Sequence, residues 1–259
     1  MRFLVGASVE PDPNQGAAGS VLATNRALQK LGHEVDEIWR ADLGRRIRHG
    51  NLHYLLELPR AYRREVARRA ACKPYDVVLL SQPHAFLAGR YLQAHHPDIL
   101  FLNETHGWEG QVLAAMRKFV EPPPTAWPRR AARQAMQMLL ARHQSRVLAS
   151  ADGIVAGCSS VARYLQEVHG YPVERVGVLP HGIAEAFLAP PLRPADPARW
   201  HRLIYVGQFT PVKAPGIVAQ AMNALLADQP GTEAAWVCAA GHHAEVRRLL
   251  DPAVRDRVV

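Results

Sequence analysis

The first chemistry offered by the sequence is a loop from Gly6 to Gly19 that ends in Gly16-Ala17-Ala18-Gly19-Ser20 and leads into a helical stretch. Glycine lets a backbone come close to a ligand, and the free N–H groups of a helix N-terminus favour phosphate or another anion. Gly16 and Gly19 are therefore candidate binding residues. Their spacing is not Gly-x-Gly-x-x-Gly, which disfavours a nicotinamide enzyme. A second element, Phe101-Leu102-Asn103-Glu104-Thr105-His106-Gly107-Trp108, reads as a strand running into a loop. Ligands of open α/β sheets bind beyond the carboxyl ends of strands, so His106 is the best placed of the thirteen histidines. A neutral imidazole there could donate a hydrogen bond to a hydroxyl or shuttle a proton. The third element is Gly207-Gln208-Phe209-Thr210-Pro211-Val212-Lys213. A Gly that ends a strand, with a Lys before the next helix, puts a flexible point charge where a diphosphate could sit.

No metal site is expected from spacing along the chain. His95-His96 and His242-His243 lack a carboxylate or Cys partner at ligand spacing, and His49 and His53 lie in an Arg-rich stretch. Cys72, Cys158 and Cys238 form no Cys-x-x-Cys pair and are expected to be buried or inert thiols.

The elements that must position these residues alternate. Short apolar runs at 3–7, 34–39, 76–80, 99–103, 153–156, 173–179, 203–206 and 235–238 read as strands. Helical stretches near 20–31, 54–71, 85–94, 128–148, 161–168, 215–227 and 244–250 lie between them. This is the pattern of βα units around a parallel sheet, an α/β fold. Residues 189–200, Ala-Pro-Pro-Leu-Arg-Pro-Ala-Asp-Pro-Ala-Arg-Trp, suit neither a helix interior nor a central strand and read as a linker. The reading is a Rossmann-like first domain at 1–188, the linker, and the start of a second domain at 201–259. Two strands after the linker are few for a Rossmann-like half, and 255–259 resembles the start of a further strand, so the second domain is expected to be incomplete.

Composition excludes several classes. With 48% hydrophobic and 21% charged residues and 3 Cys, the chain is neither disordered nor a disulfide scaffold. No apolar run approaches a membrane span, and a cytoplasmic location is expected. The net charge of +8 is concentrated in the first half. Nine arginines between 40 and 70 face Asp42, Glu57 and Glu65, while Arg117, Lys118, Arg129, Arg130, Arg133, Arg142 and Arg146 face Glu121. Such a surface could attract nucleic acid, an anionic membrane face or a phosphorylated substrate. A nucleic-acid binder would explain only the charge, since the sequence shows no helix-turn-helix, zinc finger or stacking platform.

Taken in order, the glycine loop, Thr105-His106-Gly107, Ala151-Asp152-Gly153-Ile154-Val155 with Ser159, Pro180-His181-Gly182-Ile183 with Phe187, and Gly207-x-Phe209-x-x-x-Lys213 resemble the retaining glycosyltransferases of the GT-B fold (glycosyltransferase family 4, group 1 type). The resemblance implies two Rossmann-like domains facing across a cleft, with the acceptor mainly on the first and a nucleotide-sugar on the second. It implies that Gly16 and Gly19 approach donor phosphates or acceptor, that His106 contacts the transferred sugar, and that Lys213 holds the diphosphate beside Gly207 and Gln208. It implies no metal and no cofactor beyond a donor substrate such as a UDP- or GDP-sugar. The implied acceptor is a lipid, polysaccharide or other glycan, with peripheral association at an anionic membrane as a further partner and no nucleic acid.

Two departures stand out. Gln208 occupies the place where the family often has Arg. The family's Glu-x7-Glu element has no counterpart after the linker; Glu57 and Glu65 have that spacing but lie on an Arg-rich helix of the first domain, where the match is read as chance. The same features leave a GT-B nucleotide-sugar epimerase and a non-catalytic remnant as alternatives to transfer.

Overall fold

The computed structural model describes residues 1–81, 83–119, 127–182 and 201–259. They divide into two compact units, one built on a six-stranded sheet and one on a two-stranded sheet. The expected linker at 189–200 and Phe187 lie outside the described residues.

In the first unit the apolar runs become β1 (Arg2–Gly6), β2 (Glu34–Ile38), β3 (Val77–Ser81), β4 (Leu100–Thr105), β5 (Gly153–Ala156) and β6 (Val176–Val178). Their order is β2-β1-β3-β4-β5-β6, and every pairing is parallel. Between them run α1 (Gly16–Lys30), α2 (Arg40–Leu43), α3 (Gly50–Leu52), α4 (Leu58–Cys72), α5 (Phe86–His95), α6 (Glu109–Phe119, of which the residues up to Leu113 belong to this unit), α7 (Trp127–Ser150) and α8 (Ser159–His169). Strand order reverses between β1 and β3, so the loops leaving the two strands diverge and open a crevice at their carboxyl ends.

Side-chain alternation sorts the strands between two faces. Leu4, Val78 and Leu80 pack with Tyr62, Val66 and Leu92 from α4 and α5. Val5 and Leu79 pack with Ala18 and Val21 from α1. Because both faces are covered, β3 is buried at every residue, and its sequence is an uninterrupted apolar run ending in Ser81.

Arginine content supports this scaffold as well as charging its surface. Arg64 donates to the Leu43 carbonyl at 3.0 Å, and Arg69 donates to Glu65 at 2.9 Å. Between α3 and α4, residues His53–Glu57 form a π-turn in which His53 Nδ1 and Glu57 Oε2 lie 2.9 Å apart. Glu57 also accepts the backbone N–H groups of Arg46 and Ile47 at 2.7 and 2.9 Å. These bonds, that to His53 first, hold its carboxyl down at about 2. Glu57 and Glu65 thus serve the local structure of the first unit.

The structure departs from the sequence reading in four places. Residues 173–175 are a 3-10 turn opened by Pro172, whose carbonyl accepts the Arg175 N–H at 3.1 Å, so only Val176–Val178 of the expected strand pairs. The helices α2 and α6 occupy stretches for which the sequence suggests no element. Arg255–Arg257 is another 3-10 turn, and only beyond it does the chain pair, with Val258 bridging Ala234 in parallel. The thiols of Cys72 and Cys158 are exposed rather than buried. A hydrogen bond with the Ser160 hydroxyl, first among the causes, lowers the Cys158 thiol.

The second unit pairs β7 (Arg202–Val206) with β8 (Glu233–Val237) in parallel, with α9 (Pro215–Asp228) and α10 (His243–Leu249) following the strands. Met222, Leu226, Trp236, Val246, Leu250 and Val258 form its core. Among the described helices none is long and apolar enough to cross a membrane.

The contact between α5 and β4 depends on a glycine. A Cβ on Gly89 would fall 2.3 Å from the Phe101 ring and 2.8 Å from Ser150 Oγ. Phe101 is fully buried and has no room to retreat. Gly89→Ala is therefore expected to destabilise the fold by about 1–3 kcal/mol, read as a lower urea midpoint at unchanged slope.

Candidate active site

Parallel connectivity brings the loops after β1, β4, β5 and β6 to one edge of the sheet, and their polar residues meet there. The loop after β1 enters α1 at Gly16, where a Cβ would meet nothing within 4 Å. Gly19 is different: a Cβ there would lie 2.7 Å from the Pro13 carbonyl oxygen, so this glycine seats the loop against the helix. One residue on, Ser20 Oγ hydrogen-bonds His181 Nδ1 at 2.9 Å.

His181 lies in the Pro-His-Gly segment after β6. Gly157, just past β5, makes room for its ring, since a Cβ at 157 would stand 2.8 Å from His181 Nε2. Gly182 continues along α1, and a Cβ there would be 3.3 Å from that of Ala23. The His106 ring, in the loop after β4, has its centroid 5.2 Å from that of His181 at an interplanar angle of 40°. Both ring nitrogens of His106 are buried and find no hydrogen-bond partner among the described residues. Burial, and secondarily the His181 ring, push its imidazole down to about 4, so it is neutral at neutral pH.

Glu104, near the end of β4 and two residues before His106, is also buried. Ser81 Oγ reaches it only at 3.5 Å, and burial raises its carboxyl. One ligating atom each from Glu104, His106 and His181 lie within 4.8 Å of one another. The fold therefore joins His106 to the start of α1 through His181 and Ser20. The sequence points to His106 and to the Pro-His-Gly segment that holds His181, but it gives no role to His181, Ser20 or Glu104.

Beside this edge, a cavity of about 250 Å³ lies between the π-turn, α6 and α7. Tyr54, Leu113, Met136 and Leu140 give it apolar walls, and His84, Glu109 and Arg133 add polar groups. The Tyr54 ring stacks on His84 with centroids 5.7 Å apart. Burial lowers His84 and His143 to about 4 each and raises Glu109.

Gly207, Gln208 and Lys213 belong to the second unit. Gly207 extends the pairing of β7 through its N–H to the Val237 carbonyl at 3.1 Å. A Cβ at 207 would collide with Tyr205 Oη at 2.6 Å. That hydroxyl donates to the Lys213 carbonyl at 3.2 Å and ties the loop across itself. Lys213 closes a 3-10 turn with its side chain exposed, and Ala214, in the left-handed region at φ 48°, opens α9. The Phe209 ring stacks on His242, 5.2 Å between centroids. His242 Nδ1 lies 2.5 Å from Glu245 Oε2, three residues on, which corrects the expectation that the His242-His243 pair lacks a carboxylate at ligand spacing.

Residues 15–187 match the family model for Glycosyltransferase Family 4. The chain belongs to glycosyltransferase family 4. The match covers the sheet edge just described, from the start of α1 past His181. A D-inositol 3-phosphate glycosyltransferase of Kineococcus radiotolerans is 29% identical over 171 residues, 62% of this chain and 36% of that one. A second, from Acidothermus cellulolyticus, is 32% identical over 95 residues, 33% of this chain and 20% of that one. This family 4 chain thus spans about a third of the length of the first of these curated relatives.

Among solved structures, sucrose-phosphate synthase from Thermosynechococcus elongatus superposes with a TM-score of 0.66 at 17% identity, covering 100% of this chain and 69% of that one. The catalytic domain of starch synthase IV from Arabidopsis thaliana gives 0.60 at 9% identity, over 93% and 69%. A putative UDP-N-acetylglucosamine 2-epimerase from Listeria monocytogenes gives 0.55 at 13%, over 99% and 65%. The α/β fold is of the GT-B type.

The buried imidazoles of this family 4 chain make a testable pH signature. A neutral buried histidine contributes stability that is fully present above its unfolded pKa of about 6.5 and is lost as pH falls through the folded value. Glu104 and Glu109, raised by burial, act with the opposite sign, so the test compares slopes. His84→Phe is expected to flatten the pH dependence of unfolding between about pH 6.5 and 4, by up to about 1.4 kcal/mol per pH unit, one proton's worth. Denaturant melts across that range check it.

Proposed function

We propose that this chain acts in transferring a sugar, with retention, from a nucleotide-sugar such as a UDP- or GDP-sugar to a hydroxyl of a lipid, polysaccharide or other glycan acceptor. Family membership supports transfer. The observation that carries the site is His106, neutral and with both nitrogens unpartnered at the carboxyl end of β4. Such an imidazole gains most from a ligand hydroxyl, because desolvation has already been met and the hydrogen bond is missing. In this reading His106 holds a hydroxyl of the transferred sugar, and the start of α1, at Gly16 and Gly19, faces phosphate or acceptor.

In the second unit, Lys213 holds the donor diphosphate beside Gly207 and Gln208. The leaving phosphate is then stabilised by fixed dipoles and by a cation, with no cofactor required. The cavity walled by Tyr54, Leu113, Met136 and Leu140 suits an acceptor with an apolar portion, and Arg133 suits a phosphate on it. Exposed Arg129 and Arg130 at the start of α7 keep an anionic membrane face among the proposed partners.

The assay is nucleotide release from UDP- and GDP-sugars by an active protein containing this chain, with and without acceptors. Lys213→Ala is expected to lower kcat/KM about tenfold to a hundredfold, the worth of one charge-assisted contact of roughly 1.5–3 kcal/mol. His106→Ala should lower kcat, while the melting curve shows the fold intact. Unchanged kinetics in both variants would overturn the site assignment. A free nucleotide-sugar epimer as product, with no glycosylated acceptor, would replace transfer by epimerisation.

A further inference from the structure

We infer that Glu104, His106 and His181 form a binding site for a divalent transition-metal cation of the zinc type. The three residues come from the ends of β4 and β6 and each offers a ligating atom, all within 4.8 Å of one another. Two imidazoles and one carboxylate match the donor set zinc takes when a position stays open for water or substrate. Magnesium and calcium, which prefer oxygen ligands, suit it poorly.

Each donor is left wanting a partner in a different way. His106 has both nitrogens buried and unpartnered. Glu104 is buried, and among the described residues its side chain meets only a long contact from Ser81. His181 is held at Nδ1 by Ser20, which leaves Nε2 for an ion and orients the ring as an outer hydrogen bond does in built metal sites. The space beside that Nε2 is open because residue 157 is glycine; a Cβ would fill it at 2.8 Å.

Zinc needs about 2.0–2.2 Å to each ligand, so the donor atoms must close to roughly 3.3 Å apart. His181, exposed, and the half-buried ring of His106 can supply that movement by side-chain rotation. The residues are distant in sequence, so spacing along the chain could not reveal them. His106 is shared with the sugar site proposed above, but its two unpartnered nitrogens let one take the ion while the other meets a hydroxyl, and failure of metal capture would leave the transfer proposal standing.

The experiment is calorimetric titration of the metal-stripped 259-residue chain with zinc chloride, paired with visible spectra of the cobalt(II) form. One tight equivalent is expected, and His181→Ala should weaken it by at least about a hundredfold. Because His181 is exposed, the metal-free variant should still melt cooperatively, its melting temperature lowered only by the loss of the Ser20 bond. Gly157→Ala should weaken binding by crowding Nε2, and Ser20→Ala by about tenfold through loss of ring orientation. The cobalt spectrum should show visible bands of a low-symmetry site without the charge-transfer band of a thiolate ligand. Equal zinc affinity in the wild type and His181→Ala, a thiolate band at the tight equivalent, or no stoichiometric binding would each overturn the site.

Discussion

Parallel strands cannot be joined by a tight turn, so each connection must cross back over a face of the sheet before the next strand begins. Every loop that leaves a strand in the first unit therefore emerges at the same edge. Ser20, His106, Gly157 and His181 share a site for this reason alone, since nothing in their positions along the chain would bring them together. The reversal of strand order between β1 and β3 adds room at that edge by sending neighbouring connections apart. The same crossovers cover both faces with helices, which is why β3 is buried along its whole length and why glycine is needed where α5 meets β4.

Desolvation is the second theme of this edge. It moves Glu104 up and His106 down, opposite directions with one cause, because burial disfavours whichever form carries charge. Glu57 stands in contrast, with its carboxylate drawn down by His53 and by two backbone N–H groups. A carboxylate with its bonds complete is scaffold. One that is buried with few bonds, beside an imidazole with none, has capacity left for a ligand. That difference separates the Glu57 and Glu65 pair, which merely has a suggestive spacing, from Glu104, which has no motif but a suggestive environment.

Arginines brace both units, Arg257 of the second donating to the Gln229, Pro230 and Thr232 carbonyls, whereas Lys213 is left at the surface. In the first, much of the arginine excess is committed to local bonds, as with Arg64 on Leu43 and Arg68 and Arg69 on Glu65. In the second, the loop from Gly207 to Lys213 is fastened through its backbone by Tyr205, leaving the Lys213 side chain at the surface. A loop held by its backbone keeps its side chains available, a sensible division of labour for a segment that must meet an anion.

The sequence by itself determined the α/β class, the eight described strands to within a few residues, and the edge on which His106 would lie. These follow from local physics: apolar period, β-branched runs, and the turn chemistry of glycine and proline. Tertiary structure decided the rest. Pro172 shortened β6 by closing a turn, and α6 formed directly after the β4 loop, where Glu109 supplies the acidic first turn favoured by a helix dipole. Above all, the partners of His106 were invisible in one dimension. Ser20 and His181 are 161 residues apart and meet only because α1 and β6 are both anchored to one sheet. The unpaired state of buried groups belongs to the packed molecule, because it is created only when water has been removed.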